Sequence, residues 1–115
     1  MSTLSEKEIR AQETVLACIK AINEEDFAAG RKQVHDHMKF VGVLGERDGG
    51  DAYFGDMEKM KLKYAIKKTF TEGDDVCLLY DLNMKGTIIE GCGLYHVTDG
   101  KIDHLKVIFD PRAVL

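Results

Sequence analysis

No stretch of this chain approaches the roughly 18 consecutive apolar residues that a membrane-spanning helix needs, and no membrane partner is expected. The first residues, MSTLSEKE, are polar and lack the apolar central segment of a secretory leader, so the expected location is the cytoplasm. Basic residues are not in excess. Lys and Arg number 16 against 20 Asp and Glu, a formal charge of -4, which leaves no cationic stripe of the kind that nucleic-acid recognition uses. Cysteine is sparse and odd in number. Cys18, Cys77 and Cys92 stand far apart in segments that read as helix or strand, the pattern of buried reduced thiols and not of a disulfide framework. Internal repeats and low-complexity segments are absent from the sequence too. At 115 residues there is material for one hydrophobic core and too little for two, so a single domain over 1–115 is expected, with a polar tail over 1–8.

What is present is periodic. Over 9–23 apolar residues recur at spacings of three and four, with Ile9, Val15, Leu16, Cys18, Ile19 and Ile22 on one broad face, which predicts a helix. Asp26 is a good N-cap for a short second helix from Phe27 to about His35. The period then changes to two, where Phe40, Gly42 and Leu44 alternate with Lys39, Val41 and Val43, so a first strand is expected before a loop that begins at Gly45. Residues 51–60 read as a third helix capped by Asp51, with Gly55 inside it costing about 1 kcal/mol relative to alanine. From Lys61 the chain reads as strand to its end, in segments around Tyr64 and Phe70 and then over 76–84, 88–97 and 102–109. Turn signals at 72–75, 85–86 and 98–100 separate them, and connections this short make the last three an antiparallel meander. The fold class is α+β: a curved antiparallel sheet wrapped around helices.

Two closures of the hairpin at Asp99 and Gly100 compete. A two-residue loop sets Thr98 against Lys101 and puts Leu105, Val107 and Phe109 on the face of Glu90, Cys92 and His96. A three-residue loop with Gly100 left-handed shifts the parity, sets Leu105, Val107 and Phe109 beside Gly93, Gly91 and Ile89, and makes the apolar faces agree. The second is the expectation. A two-residue turn at Lys85 and Gly86 then brings Val76, Leu78, Tyr80, Leu82 and Met84 to the same concave side, where Tyr80, Tyr95 and Asp103 are the only polar groups. Gly91 and Gly93, in mid-strand, are expected to bend the sheet and leave a hollow under the helices. The opposite face mixes Cys77, Leu79, Ile88, Cys92, Leu94 and Ile108 with charged residues, a composition that predicts a homodimer interface.

The order helix, break, helix, strand, helix, long strands resembles the nuclear-transport-factor-like superfamily, which includes ketosteroid isomerases and SnoaL-like polyketide cyclases. AINEEDF at 21–27, TDGKI at 98–102 and FDP at 109–111 carry the resemblance, which extends over nearly the whole chain from about Ile9. It implies a cone-shaped α+β barrel (the cystatin-like type), frequent dimerisation and a pocket between helices and sheet. Carried over on AINEED, the isomerases' general-base aspartate falls on Gly42 and their helix tyrosine on Cys18. Their hydrogen-bonding carboxylic acid falls near Gly93 or Tyr95. Ketosteroid isomerase activity is therefore not expected.

The candidate site is Tyr95 opposite Asp103, a phenol held by a carboxylate beneath an apolar cavity, able to donate to a carbonyl or enolate oxygen or to pass on a proton. The ligand-binding candidates are Tyr64, Tyr80, Phe40, Met84, Gly91, Gly93, Leu105, Val107 and Phe109. His35 and His37 flank Asp36 without a third ligand, so no metal is expected. His96 and His104 fall on the outer face as surface or interface groups, the loop 48–51 is a flexible turn, and the lysines between 59 and 68 make a solvated edge. No cofactor is implied. The expected function is binding of a small, mainly apolar molecule, with isomerase-, cyclase- or dehydratase-like proton transfer. The alternative is a non-catalytic association module whose cone is filled.

Overall fold

The computed structural model describes residues 3–115, and its first helix, α1 (Glu6–Asn23), begins three residues before the apolar periodicity does. Ser5 caps it through a reciprocal box: its hydroxyl accepts from the Glu8 N–H at 3.2 Å while Glu8 accepts from the Ser5 N–H at 2.9 Å. The polar tail is thus shorter than 1–8, and its residues Met1 and Ser2 lie outside the described residues. Helix α2 (Phe27–Arg31) is capped by Asp26, which accepts from the Ala29 N–H. It ends well before His35, because strand β1 (Val34–Val41) has already started.

The chain then makes a strand that the sequence pattern does not predict, β2 (Glu46–Asp48), whose three exposed polar residues offer no alternation to detect. Helix α3 (Gly50–Met60) follows, and its N-cap is Gly49, which has no side chain to offer. Asp51, expected as the cap, instead accepts from Arg31 Nε at 2.7 Å and ties α3 to α2. Strands β3 (Lys63–Glu72), β4 (Asp75–Met84), β5 (Thr87–Thr98) and β6 (Lys101–Phe109) complete one sheet in the order β2-β1-β6-β5-β4-β3. Every pairing is antiparallel except β1 with β6.

The β5–β6 hairpin departs from both closures and reaches the expected parity by another route. Thr98 pairs with Lys101 around a two-residue turn in which Asp99 and Gly100 have φ of 51° and 76°. The strands then slip at a bulge, where Val97 pairs with Ile102 but His96 pairs with His104, leaving Asp103 as the extra residue. Leu105, Val107 and Phe109 therefore lie opposite Tyr95, Gly93 and Gly91, on the concave side as predicted but displaced by two residues. The reason is energetic: the turn takes its favoured geometry, and one bulge then returns the apolar side chains to the core. The β4–β5 register is the one expected, with Met84 against Thr87 and Tyr80 against Gly91.

The core lies between this concave face and the helices. Val15, Cys18, Ile19 and Ile22 of α1 and Tyr53, Phe54 and Met57 of α3 pack on Val76, Leu78, Tyr80, Tyr95 and Leu105. Asn23, inside the AINEEDF segment, ties two layers together, because its amide exchanges two hydrogen bonds with the Tyr64 backbone, at 2.7 and 3.0 Å. That pair fixes where β3 leaves the helical layer. Among the described residues, no helix is long and apolar enough to cross a membrane.

Candidate functional site

The two mid-strand glycines do leave room, but tyrosine rings occupy it. A Cβ on Gly91 would stand 3.1 Å from Cε1 of Tyr80, its cross-strand partner, and a Cβ on Gly93 would stand 2.8 Å from Cε1 of Tyr95. Each ring closes the space over a glycine, and both tyrosines are buried. The hollow expected above the glycines is therefore filled.

An apolar cavity remains nearer the open end of the cone. It measures about 90 Å³. Tyr53, Met57 and Met60 wall it from α3, Tyr64 and Leu62 from β3 and the segment before it, Tyr80, Leu82 and Met84 from β4, and Val107 and Phe109 from β6. Phe40 of β1 closes one side. Outside it lies an apolar cleft of about 260 Å³ under the β1–β2 connection, bordered by Val43, Leu44 and Arg47. Phe40, Met60, Met84 and Phe109 line both spaces and so form the partition between them. A larger crevice of about 670 Å³ at the other end of the barrel is open to solvent and lined by charged side chains such as Lys7, Arg10, Glu13 and Asp74. Its lining is mixed, unlike the mostly apolar walls of a small-molecule site.

Of the residues singled out from sequence, Phe40, Tyr64, Tyr80, Met84, Val107 and Phe109 line the cavity. Gly91 and Gly93 lie behind the tyrosine rings, and Leu105 and Tyr95 belong to the closed core. Asp103 is elsewhere. As the bulge residue it accepts from Thr98 Oγ1 at 3.0 Å, while Tyr95 pairs with Leu105. The expected Tyr95–Asp103 opposition is thus corrected: the bulge removes the register on which it depended. His35 is engaged with the Thr98 carbonyl at 2.6 Å.

As lining residues, sequence reasoning missed Tyr53, Asp56, Met57, Met60, Leu62 and Leu82. Three of them carried a signal, since Tyr53, Met57 and Met60 follow spacings of four and three, one face of a helix. Asp56 sits beside that face and is held in a two-pronged ion pair by Arg47 of β2, with Nε to Oδ2 at 2.7 Å and Nη2 to Oδ1 at 2.9 Å. Those bonds keep its carboxyl below the usual carboxylate range.

The phenols behave in the opposite sense. Burial raises Tyr53, Tyr64, Tyr80 and Tyr95 above the ordinary tyrosine value, so at neutral pH each is an un-ionised donor and none is a base. Among the described residues, the hydroxyls of Tyr80 and Tyr95 are buried without a hydrogen-bond partner. Cys18, where the isomerases' helix tyrosine falls, is pushed up to about 12 by burial and is chemically quiet.

An unpaired buried hydroxyl is a standing cost. Tyr95→Phe is therefore expected to raise the free energy of unfolding by about 1 kcal/mol, as read from urea denaturation. A loss of stability would mean that this hydroxyl is satisfied inside the folded chain.

The sequence model of the SnoaL-like domain matches residues 15–105. No curated protein matches the chain. Among solved structures, an NTF2-like protein of unknown function from Cytophaga hutchinsonii is 46% identical over 97% of this chain and 96% of that one, with a TM-score of 0.88. A protein from Jannaschia sp. assigned as a SnoaL-like polyketide cyclase shares 15% identity over 99% and 94%, with a TM-score of 0.86. An LEH-like epoxide hydrolase from M. tuberculosis shares 21% over 92% and 86%, with a TM-score of 0.78. The last two likenesses are of fold alone.

Proposed function

Because the chain belongs to the SnoaL-like domain family, we propose that its apolar cavity binds one small, mainly apolar molecule carrying an oxygen at its buried end. The observation that carries this reading is Tyr80, which lines the cavity and whose buried hydroxyl has no hydrogen-bond partner among the described residues. A neutral phenol in that position donates to a carbonyl, ether or hydroxyl oxygen of a ligand and recovers the hydrogen bond that the empty fold forgoes. Size supports the reading as well. The inner cavity and outer cleft are parted by Phe40, Met60, Met84 and Phe109, and unbranched methionines repack easily. Joined, the two spaces reach the roughly 300 Å³ at which small-molecule pockets begin.

Binding is the activity assigned, and no cofactor belongs to it. Any proton transfer falls to Tyr80 as donor and Asp56 as acceptor, the one carboxylate in the cavity lining, and Asp56 must first be released by Arg47. Tyr95 faces Leu105 in the ladder, and Asp103 is the unpaired bulge residue. The outer sheet face supports a second part of the reading. Phe70, Ile88, Leu94 and Ile108 are exposed there by 46 to 59%, and a second copy of the chain would cover them as a homodimer. The free cysteines suit the reducing cytoplasm.

The pair naphthalene and 2-naphthol tests the site, since they differ by one oxygen. In calorimetric titration the wild-type chain is expected to bind 2-naphthol about tenfold more tightly than naphthalene, the worth of one buried hydrogen bond. Tyr80→Phe should erase that preference, and Met60→Trp, which fills the partition, should abolish binding of both. Equal affinities in the wild type, or binding that survives Met60→Trp, would remove the assignment.

A further inference from the structure

On the outer face of the sheet, behind the cavity, two of the three cysteines meet. In the β4–β5 ladder Cys77 faces Leu94 and Leu79 faces Cys92, so the two cysteines are diagonal neighbours on one face. Strand twist shortens one diagonal of such a quartet. Here it brings the Sγ atoms to 3.1 Å as free thiols, each half-buried. Along the chain these cysteines stand far apart, and the strand register joins them.

We propose that in the single chain, before a second copy covers this face, Cys77 and Cys92 close to a reversible disulfide when a hydroperoxide reaches them, and that the closure is felt by the tyrosines on the inner face. The Cys77 thiol, pushed up to about 11 first by burial and then by its hydrogen bond with Cys92, keeps its proton. In the proposed order Cys92 attacks first. Its thiolate takes the terminal oxygen of the peroxide, the O–O bond breaks, and a sulfenic acid forms while the remaining alkoxide or hydroxide takes up the proton that the thiol had lost and departs as an alcohol or water. Cys77 sulfur next attacks the sulfenic sulfur, its proton joins the departing hydroxyl as water, and the S–S bond is made. Two thiols are oxidised and one peroxide is reduced.

Forming an S–S bond of roughly 2.05 Å from thiols 3.1 Å apart pulls the two cysteines, and with them β4 and β5, toward each other. The pull falls on Cys92, which sits between the two glycines that seat Tyr80 and Tyr95. With no tryptophan and four tyrosines, all on the inner side, the near-ultraviolet circular dichroism of the chain reports on that seat. This proposal does not depend on what the cavity binds.

The full-length reduced chain, treated with hydrogen peroxide, alkylated and digested, is expected to yield one linked peptide pair joining Cys77 to Cys92, with Cys18 alkylated. Dithiothreitol should reverse the link, and the tyrosine spectrum should change and recover with it. In Cys77→Ser, dimedone should trap a sulfenic acid on Cys92. A bond between two chains, a link through Cys18, sulfinic acid without a link, no reaction at doses that oxidise glutathione, or a disulfide with an unaltered tyrosine spectrum would each overturn the proposal.

Discussion

Gly93→Val is expected to lower the free energy of unfolding by about 3 kcal/mol, the upper part of the usual range for an overpacked core. The direction is the reverse of what strand propensity predicts, since valine normally improves a strand position held by glycine. The difference lies in what covers the residue. A Cβ there meets the Tyr95 ring at 2.8 and 3.3 Å, and that ring is 1% exposed and enclosed by the core, so it has nowhere to withdraw. Shortening the ring should reverse the effect: in Gly93→Val with Tyr95→Ala the two changes should offset one another by more than 1 kcal/mol in a double-mutant cycle, as contacting sites do. Purely additive losses in urea denaturation would show that the ring does not rest on this glycine.

Gly50→Ala should cost a similar amount, about 2–3 kcal/mol, although alanine is favoured over glycine within helices by about 1 kcal/mol. Gly50 opens α3 where the helix crosses β1. Its added Cβ would lie 2.7 Å from the His35 carbonyl oxygen and 2.8 Å from Cζ of Arg31. The first is backbone and cannot swing away. The second belongs to a guanidinium already engaged by Asp51, Asp36 and the Val34 carbonyl, so moving it loosens the clasp between α2, α3 and β1. Gly55, on the same helix, has open space around it, and Gly55→Ala is expected to stabilise by about 1 kcal/mol. Thermal unfolding of the two variants side by side makes the comparison. Equal shifts in one direction would contradict the close approach at Gly50.

Gly55 and Gly93 look alike in the sequence, each a glycine inside a periodic segment, yet only one has open space around it, and this marks the boundary of what the sequence discloses. The periodic elements were legible because each expresses a local rule: the three-and-four spacing of α1, the alternation on β4 and β5, the Lys85–Gly86 turn. The cavity was legible in part. Tyr64, Tyr80, Met84 and Phe109 announce themselves as apolar or aromatic residues on the concave side of strands whose parity could be worked out. Asp56 could not be found that way, because its importance rests on Arg47, nine residues earlier on a strand too short and polar to show any pattern. The Tyr95–Asp103 pairing failed for a related cause, since a bulge is one unpaired residue and leaves no periodic trace.

By itself the sequence determined which residues face inward, because burying apolar side chains selects a strand's parity whatever route the turn takes. It also determined the family likeness, which follows from the order and length of elements with strong local preferences. Only the tertiary structure decided how the interior is shared out: that rings and not a hollow occupy the space above Gly91 and Gly93, that the cavity lies toward Met60 and Phe40, and that Cys77 meets Cys92. Those outcomes depend on which strands lie side by side and how far each slips along its neighbour. Such choices are made by contacts between residues distant in the chain, on which short-range spacing has no hold.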